Sequence, residues 1–185
     1  MGDSLMTVVA VFVAVILMFL FPMLSVSERS DDISQLAVDT SVTSFVDNSR
    51  SVGKITAENF DKLINELNAT GNTYDVEMEV KVLDENVGKK TTWTNHEVIG
   101  ENTYYSVYTS QIKDQLNAPV SSGGGVYVMK EGDIFSCEIR NTNETLSQSL
   151  RSVFYSISSN DAAQIAAQHS GIVTATGDST YRAHN

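Results

Sequence analysis

The sequence predicts an α+β fold: a long N-terminal helix that starts as a transmembrane segment and continues as an amphipathic helix, then a small antiparallel-sheet domain with packed helices. Three observations predict it. The first 27 residues carry no charge except Asp3. Beyond them, apolar residues recur at 3–4 spacing in some stretches and at spacing 2 in others. The two kinds of stretch occupy separate blocks, which favours antiparallel strands with segregated helices over a parallel sheet. The organisation read from this is an anchor-and-helix segment over 1–52 and an extracytoplasmic α+β domain over 53–185.

From Leu5 to Leu24 only Thr7 and Pro22 interrupt aliphatic and aromatic side chains. Twenty helical residues span about 30 Å, the thickness of a bilayer core. Hydrocarbon offers backbone no hydrogen-bond partner, so a segment held there must be helical. A cleaved signal peptide is the competing reading, with the cut after Ser27 behind the small residues Ser25 and Ser27. Against it, the stretch before the apolar run lacks Lys and Arg, and the run exceeds the usual 7–15 residues. A retained anchor with boundaries Leu5 and Leu24 is therefore favoured. Few flanking residues precede it, so the acidic bulk is expected outside the cytoplasm. Gly2 does not open an N-myristoylation motif, because Met6 stands where Ser or Thr is required.

From Ser30 to Val52 there is neither Pro nor Gly, and Ile33, Leu36, Ala37, Thr40, Thr43 and Val46 keep a 3–4 spacing beside Val42 and Phe45. One helix over roughly 4–52 follows. It bends at Pro22, which lacks a donor and crowds the preceding turn, and it is capped by Gly53. The β-branched residues between Val38 and Ser51 make a break there the alternative. A second helix starts at the N-cap Thr56, with Glu58 in its first turn and Phe60, Leu63, Ile64 and Leu67 on one face; Gly71 ends it. In DVEMEVKVL, Val76, Met78, Val80 and Val82 alternate with charged residues, giving a strand with one buried face.

The stretch 84–92 reads as a loop and Trp93 to Ile99 as a short strand. TYYSVYTSQIKDQLN reads as a helix capped by Asn102, with Tyr105, Tyr108, Ile112 and Leu116 on one face, although its β-favouring start leaves it ambiguous. Ser121 to Gly125 reads as a flexible loop. Val126, Val128 and Ile134 to Ile139 read as a hairpin around Glu131-Gly132-Asp133. Leu146, Leu150, Val153, Phe154 and Ile157 mark a helix, and GIVTATG a last strand.

Chemistry is sparse. Twelve Lys and Arg against 23 Asp and Glu give a net charge of −11, which repels phosphate backbones, so nucleic acid is not an expected partner. The single cysteine, Cys137, cannot form an intramolecular disulfide and reads as a core residue. None of His96, His169 and His184 stands at metal-ligand spacing. His169 is the most suggestive of a catalytic role, but a lone His is more often structural. No nucleophile elbow or phosphate loop occurs. Glu77/Glu79 and Asp31/Asp32 could bind a cation weakly, but without a calcium-loop pattern they read as a wet strand face and a helix flank. Asn68 and Asn143 open glycosylation sequons of a kind that chance supplies often. No catalytic residue, cofactor site or metal site is assigned, and the chain is expected not to be an enzyme.

FVDNSRSVGKITAENFDKLINELNATGNTYDVEMEV and KEGDIFSCEIRNTNETLSQSLRSVFYSI resemble small membrane proteins of Gram-positive bacteria, of clostridial type, encoded with tight-adherence-type pilus or secretion components. The TadE-like pseudopilins are the nearest named group, and the resemblance covers most of Val42 to Gly171. It implies a pilin-like architecture and a non-enzymatic structural or assembly role in a pilus or secretion apparatus. The implied partners are membrane lipid, other pilin-like or apparatus subunits, and copies of the chain itself. It also implies a prepilin-type leader ending at Gly2, although Thr7 stands where many mature pilins have glutamate. The alternative function is an extracytoplasmic ligand-binding module, tethered or released after Ser27.

Overall fold

A computed structural model describes residues 2–84, 103–119, 123–154 and 165–178. Helix α1 runs without interruption from Gly2 to Val52, through Pro22 and through the β-branched stretch after Val38. Its end is fixed by Gly53, whose φ of 74° suits glycine and whose N–H donates to the Ser49 carbonyl at 2.9 Å. Any Cβ at Gly53 would lie 2.1 Å from the Ala175 carbonyl oxygen, so glycine is also required by the close crossing of the C-terminal chain.

After α1 come β1 (Lys54–Thr56), α2 (Ala57–Asn68), β2 (Tyr74–Leu83), β3 (Tyr104–Tyr108), α3 (Thr109–Asn117), β4 (Val126–Val128), β5 (Ile134–Asn141), α4 (Leu146–Phe154) and β6 (Ala166–Ile172). Among the described residues, β3-β2-β5-β6 form a four-stranded antiparallel sheet, and β1 and β4 form a separate antiparallel pair. The fold is thus α+β, as the blocks of periodicity predict. The α2 cap is also as predicted: the Thr56 hydroxyl accepts from the Asn59 N–H at 3.2 Å.

The core lies between α1 and one face of the sheet. Val38, Val42, Phe45 and Val46 of α1 meet Val76, Met78 and Val80 of β2, and Phe135, Cys137 and Ile139 of β5. Phe45 stacks edge-on against Phe135, ring centroids 5.8 Å apart, and tilts against Phe60 of α2 at 6.4 Å. Leu63 and Leu67 of α2 and Ile112 and Leu116 of α3 close the cluster. The core therefore draws on both sides of Gly53. The α1 face it uses is not centred on Ile33 and Leu36, which are 65% and 68% exposed.

Four sequence expectations are corrected. Tyr104 to Tyr108 is a strand, not the first turns of a helix. Its aromatic and β-branched residues pair with the free edge of β2, Ser106 opposite Lys81. Helix α3 begins only at Thr109, whose hydroxyl accepts from the Met78 N–H at 2.6 Å and donates to the Met78 carbonyl at 3.1 Å. Residues 126–139 do not form a hairpin: both edges of β5 are taken, by β2 and β6, so β4 pairs with β1. The predicted turn survives, held by the buried Asp133 carboxylate, which accepts from the Lys130 and Leu83 N–H groups. Gly123 to Gly125 is tied to the end of α3 through the Gly125 N–H and Gln115 carbonyl at 3.1 Å, and a Cβ on Gly124 would strike the Ala118 carbonyl. The last strand starts at Ala166, ahead of the predicted GIVTATG. The expected loop after Asp84, the strand Trp93 to Ile99, Asn102 and Ile157 lie outside the described residues.

Among the described residues strand β6 is an edge, and α1 supplies part of what a neighbouring strand would. Gln35 Nε2 donates to the Ala166 carbonyl at 2.7 Å and Gln35 Oε1 accepts its N–H at 3.1 Å. Beyond β6, the Thr174 N–H donates to the Arg50 carbonyl at 3.0 Å. Covering an edge with a helix limits unwanted strand addition.

Candidate functional site

The most distinctive surface is the first half of α1. None of its most apolar stretch is buried within the chain. Leu5 is fully in the open and Leu24 half-covered. In water each large exposed side chain forgoes about 1.5–3 kcal/mol of burial, a cost that lipid or protein cover removes. By length and composition the helix suffices to cross a membrane, and a signal sequence passes the same test. Gly2 is the first residue of the helix, Pro22 sits exposed within it, and Ser27 lies in its continuous part, 6% exposed.

Ser27 marks where the helix gains a neighbour. It and Ser34 are buried on the helix face that carries Asp31, and Asp31 bonds to the start of α4. The Asp31 carboxylate accepts hydrogen bonds from the hydroxyls of Thr145 (2.7 Å) and Ser147. Thr145 also caps α4 reciprocally with Gln148: the Gln148 side chain accepts the Thr145 N–H at 3.0 Å, and the Thr145 hydroxyl accepts the Gln148 N–H at 3.3 Å. A carboxylate beside a helix N-terminus is also favoured by the helix dipole. Asp31, read from sequence as a solvated flank, is thus the docking point of α4.

The other candidates are dispersed. His169 Nε2 lies 3.2 Å from Asp47 Oδ1, which also accepts from Arg50 Nε at 2.8 Å. The contact holds the Asp47 carboxyl below its ordinary value, through the His169 hydrogen bond first and Arg50 second. The group is polar cross-bracing between α1 and β6. Cys137 is fully buried, and burial pushes its thiol up to about 12, so it is not a thiolate at neutral pH. Burial likewise pushes Tyr127 up to about 12. Among the described residues no group of three His, Cys, Asp or Glu is arranged to hold a metal ion. His96 and His184 lie outside the described residues.

Glu77 and Glu79 project from the outer face of β2 with Asp75, and Glu77 stands directly opposite Glu138 of β5. They border an open cleft of about 490 Å³ that reaches Tyr108 and Lys113. Of the two sequons, Asn68 is exposed at the end of α2, while Asn143 accepts the Thr73 N–H at 2.8 Å and donates to Asn72 at 3.1 Å. Sequence reasoning missed two features: the α4 docking point, and the exposure of Ile33 and Leu36. The first has a local signal in the Thr145-x-x-Gln148 capping box; the second has none short of knowing which α1 face meets the sheet.

No protein-family model, curated protein or solved structure matches the chain.

Proposed function

We propose that this chain is a single-pass membrane protein of the bacterial cell membrane. Its acidic C-terminal domain stands outside the cytoplasm, and its role is a non-enzymatic, pseudopilin-like structural or assembly component of a pilus or secretion apparatus. The observation that carries the reading is the continuity of α1. One unbroken helix joins a fully exposed apolar segment to the core of an antiparallel-sheet domain, so anchor and domain move as one lever. The net charge of −11 supports a protein or lipid partner over nucleic acid. The test is N-terminal sequencing of the mature protein together with alkaline extraction and protease accessibility of its membranes. A start at Met1 or Gly2 in the pellet means a retained anchor, and Asp3 means prepilin-type processing. A start at Glu28 in the soluble fraction overturns the reading. The second reading, a tethered or released ligand-binding module, is favoured by the open cleft bordered by Glu77 and Glu79. It predicts that residues 30–185 alone hold the binding activity.

A further inference from the structure

We infer that α1 carries a second seam, facing away from its own domain, which pairs two copies of this chain in parallel at and above the membrane surface; this rests on the anchor reading above. Between Ser25 and Thr40 the large apolar side chains left uncovered are Val26, Ile33 and Leu36, 69%, 65% and 68% exposed. They share one stripe of the helix. Ser27, Ser34 and Val38, which are buried, lie around the other side, so a partner helix on the stripe meets none of them.

Lipid does not cover the upper part of this stripe. Ile33 and Leu36 follow Leu24 by nine and twelve residues, about 14 and 18 Å of helix, whereas the headgroup layer is only about 5–8 Å deep. The cover must be protein, and the spacing points to which protein. Phe12, Phe19, Val26 and Ile33 recur every seven residues. Val8, Val15, Pro22, Arg29 and Leu36 do the same, three residues after and four before their neighbours in the first series. That is the seam of a two-stranded coiled coil, carried in one phase from bilayer to water. Its aqueous positions hold β-branched Val26 and Ile33 in one row and Leu36 in the other, the assignment that favours parallel dimers. Two copies inserted in one membrane are already parallel and at equal depth, so Ile33 meets Ile33 without any search for register. Arg29 interrupts the second row at a cost. Its long stem lets the guanidinium reach water, and a single polar seam residue fixes register and strand number. The aqueous part is too short to hold alone, so pairing depends on the membrane half.

The test is disulfide trapping of the full chain in native membranes, with single cysteines introduced by Ile33→Cys, Leu36→Cys, Asp32→Cys at the same height but flanking the seam instead of within it, and Glu58→Cys on α2. The native Cys137 is buried and stays silent. Homodimer yields at 33 and 36 are expected severalfold above those at 32 and 58, and Leu36→Glu should abolish trapping at 33. Equal yields at all four positions overturn the seam, as do adducts of 33 or 36 with a different protein. Alkaline extraction of the same membranes separates the two readings. A chain in the supernatant overturns anchor and seam together; a chain that stays in the pellet without disulfides at 33 and 36 overturns the seam alone.

Discussion

In the first half of α1, Phe12 and Phe19 stand 67% and 73% exposed; in the second, Phe45 is 6% exposed between the rings of Phe60 and Phe135. The backbone is the same helix throughout. The difference lies in what surrounds it. The first half is apolar all round and presents no preferred face to its own chain, as a helix solvated by lipid does. The second half has one packed face, where stability comes from shape, and a remainder that is polar apart from Ile33, Leu36 and Val52. Apolar residues alone therefore do not locate a core; the neighbours that cover them do.

The comparison breaks most visibly if the same substitution is made in both halves. Phe45→Ala should cost about 3–5 kcal/mol, lowering the thermal midpoint of the detergent-held chain, while Phe12→Ala leaves that midpoint unchanged. The next largest effect should run the other way. Val15→Arg opposes membrane insertion by about 2.5–3.5 kcal/mol, releasing chain into the alkaline supernatant without altering the unfolding of the domain. Asp31→Ala sits where the halves meet. It strips the Thr145 and Ser147 hydroxyls of their acceptor, a loss of about 1–3 kcal/mol that should appear as faster amide exchange in α4 and little change in β2 or β5.

The smallest effect is a pH dependence at the brace between α1 and β6. The Asp47 carboxyl is held below its ordinary value of 3.8, by His169 first and then Arg50. A depressed carboxylate contributes stability that is present above the unfolded value and fades as pH falls through the folded one. Asp47→Asn should therefore be slightly less stable than the parent at neutral pH, and the gap should close as pH falls below about 4. An unchanged acid limb would remove Asp47 from the brace.

What could be read in advance follows from which force decides each element. Leu63 and Leu67, or Val76, Met78 and Val80, bury a face whose period is local, so α2 and β2 are legible residue by residue. Tyr104 to Tyr108 reads as helix because Tyr105, Tyr108, Ile112 and Leu116 match a helical face by coincidence. The unpaired edge of β2, remote in sequence, decides that segment. Strands β1 and β4 are three residues each and exist only because they pair with one another, so neither carries a period. The strand at Ala166 begins in AAQHSG, whose residues have weak strand preference, and its start is set by Gln35. At the candidate site the apolar span was legible from composition, whereas the docking of α4 on Asp31 joins residues 114 and 116 positions apart.

The brackets that α1 places on β6 also set a timetable. Gln35 reaches Ala166 across 131 residues, and Asp47 meets His169 across 122. At about 5–20 residues per second of synthesis, the second half of α1 waits on the order of ten seconds for its partner strand. The apolar half has by then emerged. The domain can thus close only after residues 166–172, the last of its described strands, have been made.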